Sequence, residues 1–187
     1  MHLYGGGQEV TLTRDCKAIQ IPNGTPVLLE KGQSAYITQI LGGMFTVETE
    51  MGYLARIDGK DADALGQPVP PESQPVPENT GKTLEQKAWD QLRTCYDPEI
   101  PVNIVELGLI YECRLSPLED QPGKYRADVQ LTLTAPGCGM GEVLKSDVEN
   151  KLLDIPEIEV ANVEVVLDPP WESAMMSEAA RLQLGMM

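Results

Sequence analysis

Ala127-Asp128-Val129-Gln130-Leu131-Thr132-Leu133-Thr134-Ala135-Pro136-Gly137-Cys138-Gly139-Met140-Gly141 changes its period half-way along. Ala127, Val129, Leu131 and Leu133 alternate with Asp128, Gln130 and Thr132, which predicts a strand with one apolar face. A glycine-rich turn follows. Val143, Leu144, Val148 and Leu152 then recur at helical spacing. Strand, turn and helix in succession call for a mixed domain. Cys138 sits at the change of period, between Gly137 and Gly139, so no adjacent side chain shields it. It lies where a helix begins, and the unpaired N–H groups there favour thiolate over thiol. Such a residue suits metal ligation or sulfur chemistry. The plainer reading is a cysteine filling space at a strand end; two glycines that add no core surface speak against it.

Working outward, Thr83-Leu84-Glu85-Gln86 forms a capping box. Leu84, Ala88, Leu92 and Cys95 follow on one helix face, and the helix ends before Asp97-Pro98. Leu109, Tyr111, Cys113 and Leu115 alternate with Ile110, Glu112 and Arg114 as a strand. Val163, Val165 and Leu167 mark another. Ser177 and Glu178 open a last short helix that Gly185 closes. The order helix, strand, strand, helix, strand, helix predicts an α+β fold: a two-layer α/β domain, an open sheet with helices on one face, over residues 81–187.

Residues 67–80 hold five of the 15 prolines and read as an extended spacer without hydrogen bonds to helix or sheet. Residues 1–66 read as a small all-β domain. Val10–Thr13, Lys17–Ile21, Thr25–Glu30, Ala35–Leu41, Met44–Thr49 and Tyr53–Ile57 are β-prone, with turn signals such as Pro22-Asn23-Gly24 and Gly42-Gly43 between them. A small barrel or curled sheet is expected. Gly5-Gly6-Gly7 lacks a following Lys-Ser/Thr pair and reads as a flexible lead, not a phosphate loop.

Of 187 residues, 42% are hydrophobic but only 5% aromatic, so the cores must be aliphatic. The formal net charge of −15 argues against nucleic acid and against anionic membrane surfaces. The acid is spread out: residues 1–66 carry 8 acidic and 5 basic groups, and residues 81–187 carry 19 and 9. That is a solvated surface, with docking of a basic partner as the alternative. The opening lacks the basic start and apolar stretch of a signal peptide, and no run approaches the ~18–20 apolar residues of a membrane span, so a cytoplasmic protein is expected. Cys16, Cys95, Cys113 and Cys138 stand far apart and form no disulfide framework. His2 is the only histidine, which leaves no Ser-His-Asp, Cys-His or histidine-rich zinc chemistry. An enzyme is not expected.

Two further stretches carry suitable residue types. In Asp97-Pro98-Glu99-Ile100-Pro101-Val102-Asn103, two prolines pin a loop bearing two carboxylates, which either ligate iron or act as a base, or merely cap and stop the helix. Asp168-Pro169-Pro170-Trp171-Glu172-Ser173-Ala174-Met175-Met176-Ser177 follows the last strand. Its Trp and Met side chains seal the open end of the core or cover a site or partner interface. Cys16, Cys95 and Cys113 read as structural.

Three stretches, Asp97 to Tyr111, Leu131 to Cys138, and Asp168 to Trp171 with Met176-Ser177 and Leu184-Gly185, resemble the iron–sulfur assembly family that includes PaaD, SufT and the eukaryotic cytosolic iron–sulfur targeting factor. The likeness covers roughly residues 81–187, and the β-rich first part points to SufT-type members. The chain ends without the cysteine-rich C-terminal segment of PaaD-type members. The resemblance implies an iron–sulfur maturation factor that helps clusters reach apo-proteins. It places the reactive cysteine at Cys138 and the acidic loop at Asp97 and Glu99. A transient iron–sulfur cluster is the implied cofactor, with assembly proteins and apo clients as partners. One exposed cysteine per chain cannot hold a cluster that most often takes four thiolates, so a homodimer or hetero-complex is expected. The rival readings are an adaptor without iron that bridges assembly machinery and clients, and a carrier of persulfide on Cys138.

Overall fold

The computed structural model describes residues 7–78, 80–97, 100–135 and 139–186. Contacts divide the chain into Met1–Gln74 and Pro75–Met187.

In the first unit, short alternating runs and tight turns build β1 (Gln8–Thr11), β2 (Cys16–Ile21), β3 (Pro26–Leu29), β4 (Ser34–Leu41), β5 (Met44–Thr49) and β6 (Leu54–Ile57). They form one antiparallel sheet in the order β1-β4-β5-β6-β2-β3. Gly42 and Gly43 both have positive φ (58° and 81°) and join Leu41 to Met44 in a two-residue hairpin, which an L side chain would strain. The core is aliphatic around Phe45, with Leu12, Leu29, Val47, Ile57 and Leu65 almost fully buried. A 3-10 segment over Gly59–Leu65, capped by Asp58, contributes Ala62, Ala64 and Leu65 to that core.

The proline-rich stretch is more tied down than its composition predicts. Pro71–Ser73 is a 3-10 turn, and the buried Ser73 hydroxyl donates to Gly43 O at 2.9 Å. Further on, Val76 N donates to Asp154 O (3.1 Å), and Lys87 Nζ donates to Glu78 O (2.9 Å). Prolines lack a donor, but their carbonyls and the intervening N–H groups still bond.

The second unit contains α1 (Leu84–Leu92), β7 (Ile110–Pro117), β8 (Tyr125–Leu131), α2 (Gly141–Leu153), β9 (Ile158–Val165) and α3 (Glu178–Gln183). The capping box is present: Gln86 N donates to Thr83 Oγ1, and Thr83 N to Gln86 Oε1. The sheet order is β7-β8-β9, antiparallel then parallel, with α2 as the crossover. Ala127, Val129, Leu131 and Val163 face Ala88 and Leu92 of α1 and Leu144, Val148 and Leu152 of α2 in one core. The opposite face carries Arg126, Asp128 and Gln130, so the α+β two-layer arrangement holds. Lys87 is 4% exposed and ion-paired with Glu157, which fastens α1 to the α2–β9 connection. No helix among the described residues is long and apolar enough to cross a membrane.

Three boundaries differ from the periodic reading. β8 stops at Leu131, not Leu133; Thr132 N still donates to Leu109 O at 2.8 Å, in the register of the Ile110–Leu131 pair. β9 stops at Val165, leaving Leu167 exposed. Tyr111 does not share the core face of β7. A register shift between Ile110 and Glu112 makes it the extra residue of a bulge; Ile110 joins the core and the Tyr111 hydroxyl donates to Pro169 O.

Candidate functional site

The sequence stretches singled out above meet at one end of the three-stranded sheet. β8 and β9 are parallel and finish there, and β7 starts there. Thr132 N donates to Leu109 O and Val166 N to Leu131 O, each at 2.8 Å, so residues 109, 131–132 and 166 lie side by side. The Asp97 stretch is drawn to the same end: Ile104 N donates to Cys95 O (3.0 Å), and Tyr96 bridges to Asn103. Asn103 organises the turn that follows, its Oδ1 accepting from Val105 N (3.1 Å) and Glu106 N (3.0 Å). That local cap explains an Asn just before the apolar run.

The segment after β9 straps this turn down. Trp171 Nε1 donates to Leu107 O (2.8 Å), Ser177 N to Glu106 O (2.8 Å) and Gln183 Nε2 to Pro101 O (2.8 Å). Gly108 lies under the strap with φ +74°; a Cβ there would stand 2.3 Å from Met175 O. Only glycine permits that approach. Trp171 packs against the core and Met176 is 7% exposed, so these two seal the sheet end. Met175 is 37% exposed and lines an open groove with Ile110, Tyr111, Gln130, Val166 and Asp168. The glycine in Leu107-Gly108-Leu109 was the one sequence signal for this close contact; the bulge at Tyr111 left none.

Asp97 is half-buried, and its carbonyl accepts from Ile100 N at 3.1 Å. Glu99 and Cys138 lie outside the described residues. Around Cys138 the described chain runs from Ala135 to Gly139, both exposed, and then to buried Met140 and Gly141. A Cβ on Gly141 would come within 2.9 Å of Leu133 Cδ1, so the start of α2 packs against the end of the β8 stretch. Met140 gives α2 no side-chain cap, and the 13-residue helix leaves its first N–H groups to other partners.

The other cysteines behave as packing residues. Cys16 is buried, and that burial, then Asp61, pushes its thiol up to about 11. Burial, followed by Glu85 and Glu112, pushes the Cys113 thiol up to about 11 as well. Cys95 is 3% exposed, its Sγ facing Gln91 O. Among the described residues no three His, Cys, Asp or Glu side chains gather as a metal site.

Comparison with known proteins bears on this unit. The model of the family described as "Iron-sulfur cluster assembly protein" matches residues 85–165. An "Fe-S protein maturation auxiliary factor" of Porphyromonas gingivalis is 38% identical over 101 residues, 54% of this chain and 90% of that protein. The "Fe-S protein maturation auxiliary factor SufT" of Staphylococcus aureus is 40% identical over 89 residues, 48% of this chain and 94% of that one. So little of the Staphylococcus protein lies outside the match that it has no room for a counterpart of the six-stranded unit. The family model's match, residues 85–165, lies within the second unit. A Bacillus anthracis domain described as of unknown function is 35% identical, with a TM-score of 0.47, over 56% of this chain and 93% of that one. With nine-tenths of the first relative covered at 38% identity, this chain belongs to the iron–sulfur cluster assembly protein family.

Proposed function

We propose that this chain is a maturation factor that helps deliver iron–sulfur clusters to apo-proteins, with Cys138 as its reactive thiolate and Asp97 and Glu99 as the acidic groups of the same site. It is not an enzyme in this reading, and it works in the cytoplasm with assembly proteins and apo clients. The carrying observation is the meeting of the Asp97, Leu131 and Asp168 stretches at one sheet end through the Thr132–Leu109 and Val166–Leu131 bonds. The start of α2 supports the thiolate: Met140 caps it with no side chain, and helix N-terminal N–H groups favour anions. The cluster is cargo, held transiently. Clusters most often take four thiolates, so one reactive cysteine per chain requires help from a second copy of the chain, a client cysteine or a small thiol, and that shared holding suits transfer.

The test is complementation of a strain lacking the protein, read as the activity of iron–sulfur client enzymes, alongside anaerobic reconstitution. Cys138→Ser abolishes rescue and lowers bound iron and sulfide, whereas Cys113→Ala does neither. Equal rescue and equal iron with Cys138→Ser would end the ligand role.

A second reading is an adaptor without iron. It is favoured by the six-stranded unit, a separate compact body outside the family match. Partners retained by Cys138→Ser in anaerobic pull-downs, with no iron in either form, would select it.

A further inference from the structure

The groove at the sheet end is built rather than incidental. It is lined by Tyr111, Gln130 and Val166 and by the strap residues Asp168 and Met175; Ile110 also borders it, with its side chain packed against the core. The bulge aims Tyr111 at Pro169 O (2.7 Å), and Gly108 lets the Met175 backbone close down. Gln130 points away from the core, so the groove opens on the face opposite the helices.

The charge around it is one-sided. Register places Glu112, Gln130 and Glu164 in one row across the sheet, with the Gln130 amide donating to Glu164 Oε2. Asp168 is exposed beyond the strand ends. Among the described residues, the arginines of this face, Arg114 and Arg126, stand in the next rows, and Arg126 Nε is held by Asp128 at 2.9 Å. Apolar Val166 and Met175 beside three carboxylates complement a partner that is apolar at its centre and basic at its flanks.

We propose that this groove docks an extended segment of a partner protein in which an aliphatic side chain is flanked by Lys or Arg. The proposal rests on the delivery role above: a segment lying here is held at the sheet end from which the chain runs to Cys138. Val166 and Met175 receive the aliphatic group, the Tyr111 ring borders it, and Asp168 with Glu112 and Glu164 meets the cations.

The experiment selects a displayed library of random nine-residue peptides on the full chain, then measures one enriched peptide by fluorescence anisotropy. Enriched peptides carry lysine or arginine within two positions of an aliphatic residue. Val166→Glu weakens binding at least tenfold, and Asp168→Asn weakens it about threefold, as loss of one exposed ion pair does. Asp168→Lys changes an exposed residue and keeps the test open if Val166→Glu lowers the melting temperature; it reverses the preference toward acidic peptides. Cys138→Ser binds the same peptide with unchanged affinity, so the groove and the sulfur role fail separately. The proposal is overturned by no enrichment, by enriched peptides without basic residues, by binding indifferent to both Val166→Glu and Asp168→Lys, or by loss of binding in Cys138→Ser. A groove that serves only to pair two copies of the chain would also overturn it; that outcome appears as a dimer abolished by Val166→Glu with no peptide selectivity.

Discussion

Gly108→Ala tests whether the strap is pressed onto the turn before β7. Two costs add. The residue has φ +74°, where an L side chain costs about 1–2 kcal/mol. The new Cβ would then stand 2.3 Å from Met175 O, against 3.0 Å as the closest that real Cβ atoms come, so that carbonyl must retreat by about 0.7 Å. The retreat is opposed by bonds on either side, Trp171 Nε1 to Leu107 O and Ser177 N to Glu106 O. Stretching one or two of them costs about 1–2 kcal/mol more, for a total of about 2–4 kcal/mol. Gly123→Ala carries the first cost alone, because Gly123 has φ +79° and nothing within 4 Å of a Cβ, so the difference between the two variants isolates the second. The assay is thermal unfolding followed by tryptophan fluorescence, which reports only the second unit since Trp89 and Trp171 both lie in Pro75–Met187. A gap of about 1–2 kcal/mol between the variants moves the thermal midpoint by roughly 5–10 °C. Equal losses in the two variants would refute the strap contact.

Lys87→Met removes the cation that holds the Glu157 carboxyl below its ordinary range, together with the bond to Glu78 O, and lowers the stability of the second unit by about 1.5–3 kcal/mol. A depressed carboxyl stabilises above its unfolded value and loses that contribution as pH falls through the lower folded one. Wild type therefore weakens on acidification below the ordinary glutamate range, and Lys87→Met shows a flatter profile in urea titrations over the same span. Gly59→Ala drives a Cβ to 2.0 Å from Gly43 O and 2.1 Å from Ser73 Oγ; faster amide exchange in β4 and β5 is the expected outcome, with the tryptophan transition unmoved. Alkylation with iodoacetamide at neutral pH modifies one thiol per native chain, mapped by mass to Cys138, because Cys16, Cys95 and Cys113 are shielded by packing. A second modified cysteine would contradict that shielding.

Much of the fold was legible because local chemistry and packing agreed. All six strands of the first unit lie where β-prone runs met turn signals, since Gly42-Gly43 and Pro22-Asn23-Gly24 admit few alternatives to a turn. Thr83 and Gln86 announced the start of α1 and cap it as expected. Lys87 and Gln91, buried on α1, were not legible. Periodicity assigns a lysine to solvent, and only the distant Glu157 and Glu78 make its burial tolerable. The bonds within 67–80 were not legible for a related reason: composition reports missing donors but not the partners that Ser73 and Val76 find elsewhere in the chain.

The remaining misreadings fall in one place. Strand periodicity ran β8 on to Leu133, ran β9 on to Leu167, and put Tyr111 in the core; all three positions lie at the sheet end where the Asp97, Leu131 and Asp168 stretches meet. The cause is common to them. At a strand end the alternation of side chains persists in sequence, but the ladder runs out, Thr132 to Leu109 and Val166 to Leu131 carrying it one residue past the strands. Once that happens, each following side chain is placed by the turn and no longer by the pleat. Tyr111 is the clearest case: one inserted residue swings it from the aliphatic core to the strap, opening the groove while Ile110 takes its place inside. A sheet end with fully regular alternation would have closed over with aliphatic side chains. The departures from pattern leave a half-open surface with carboxylates at its rim, and that is where this chain can meet another protein.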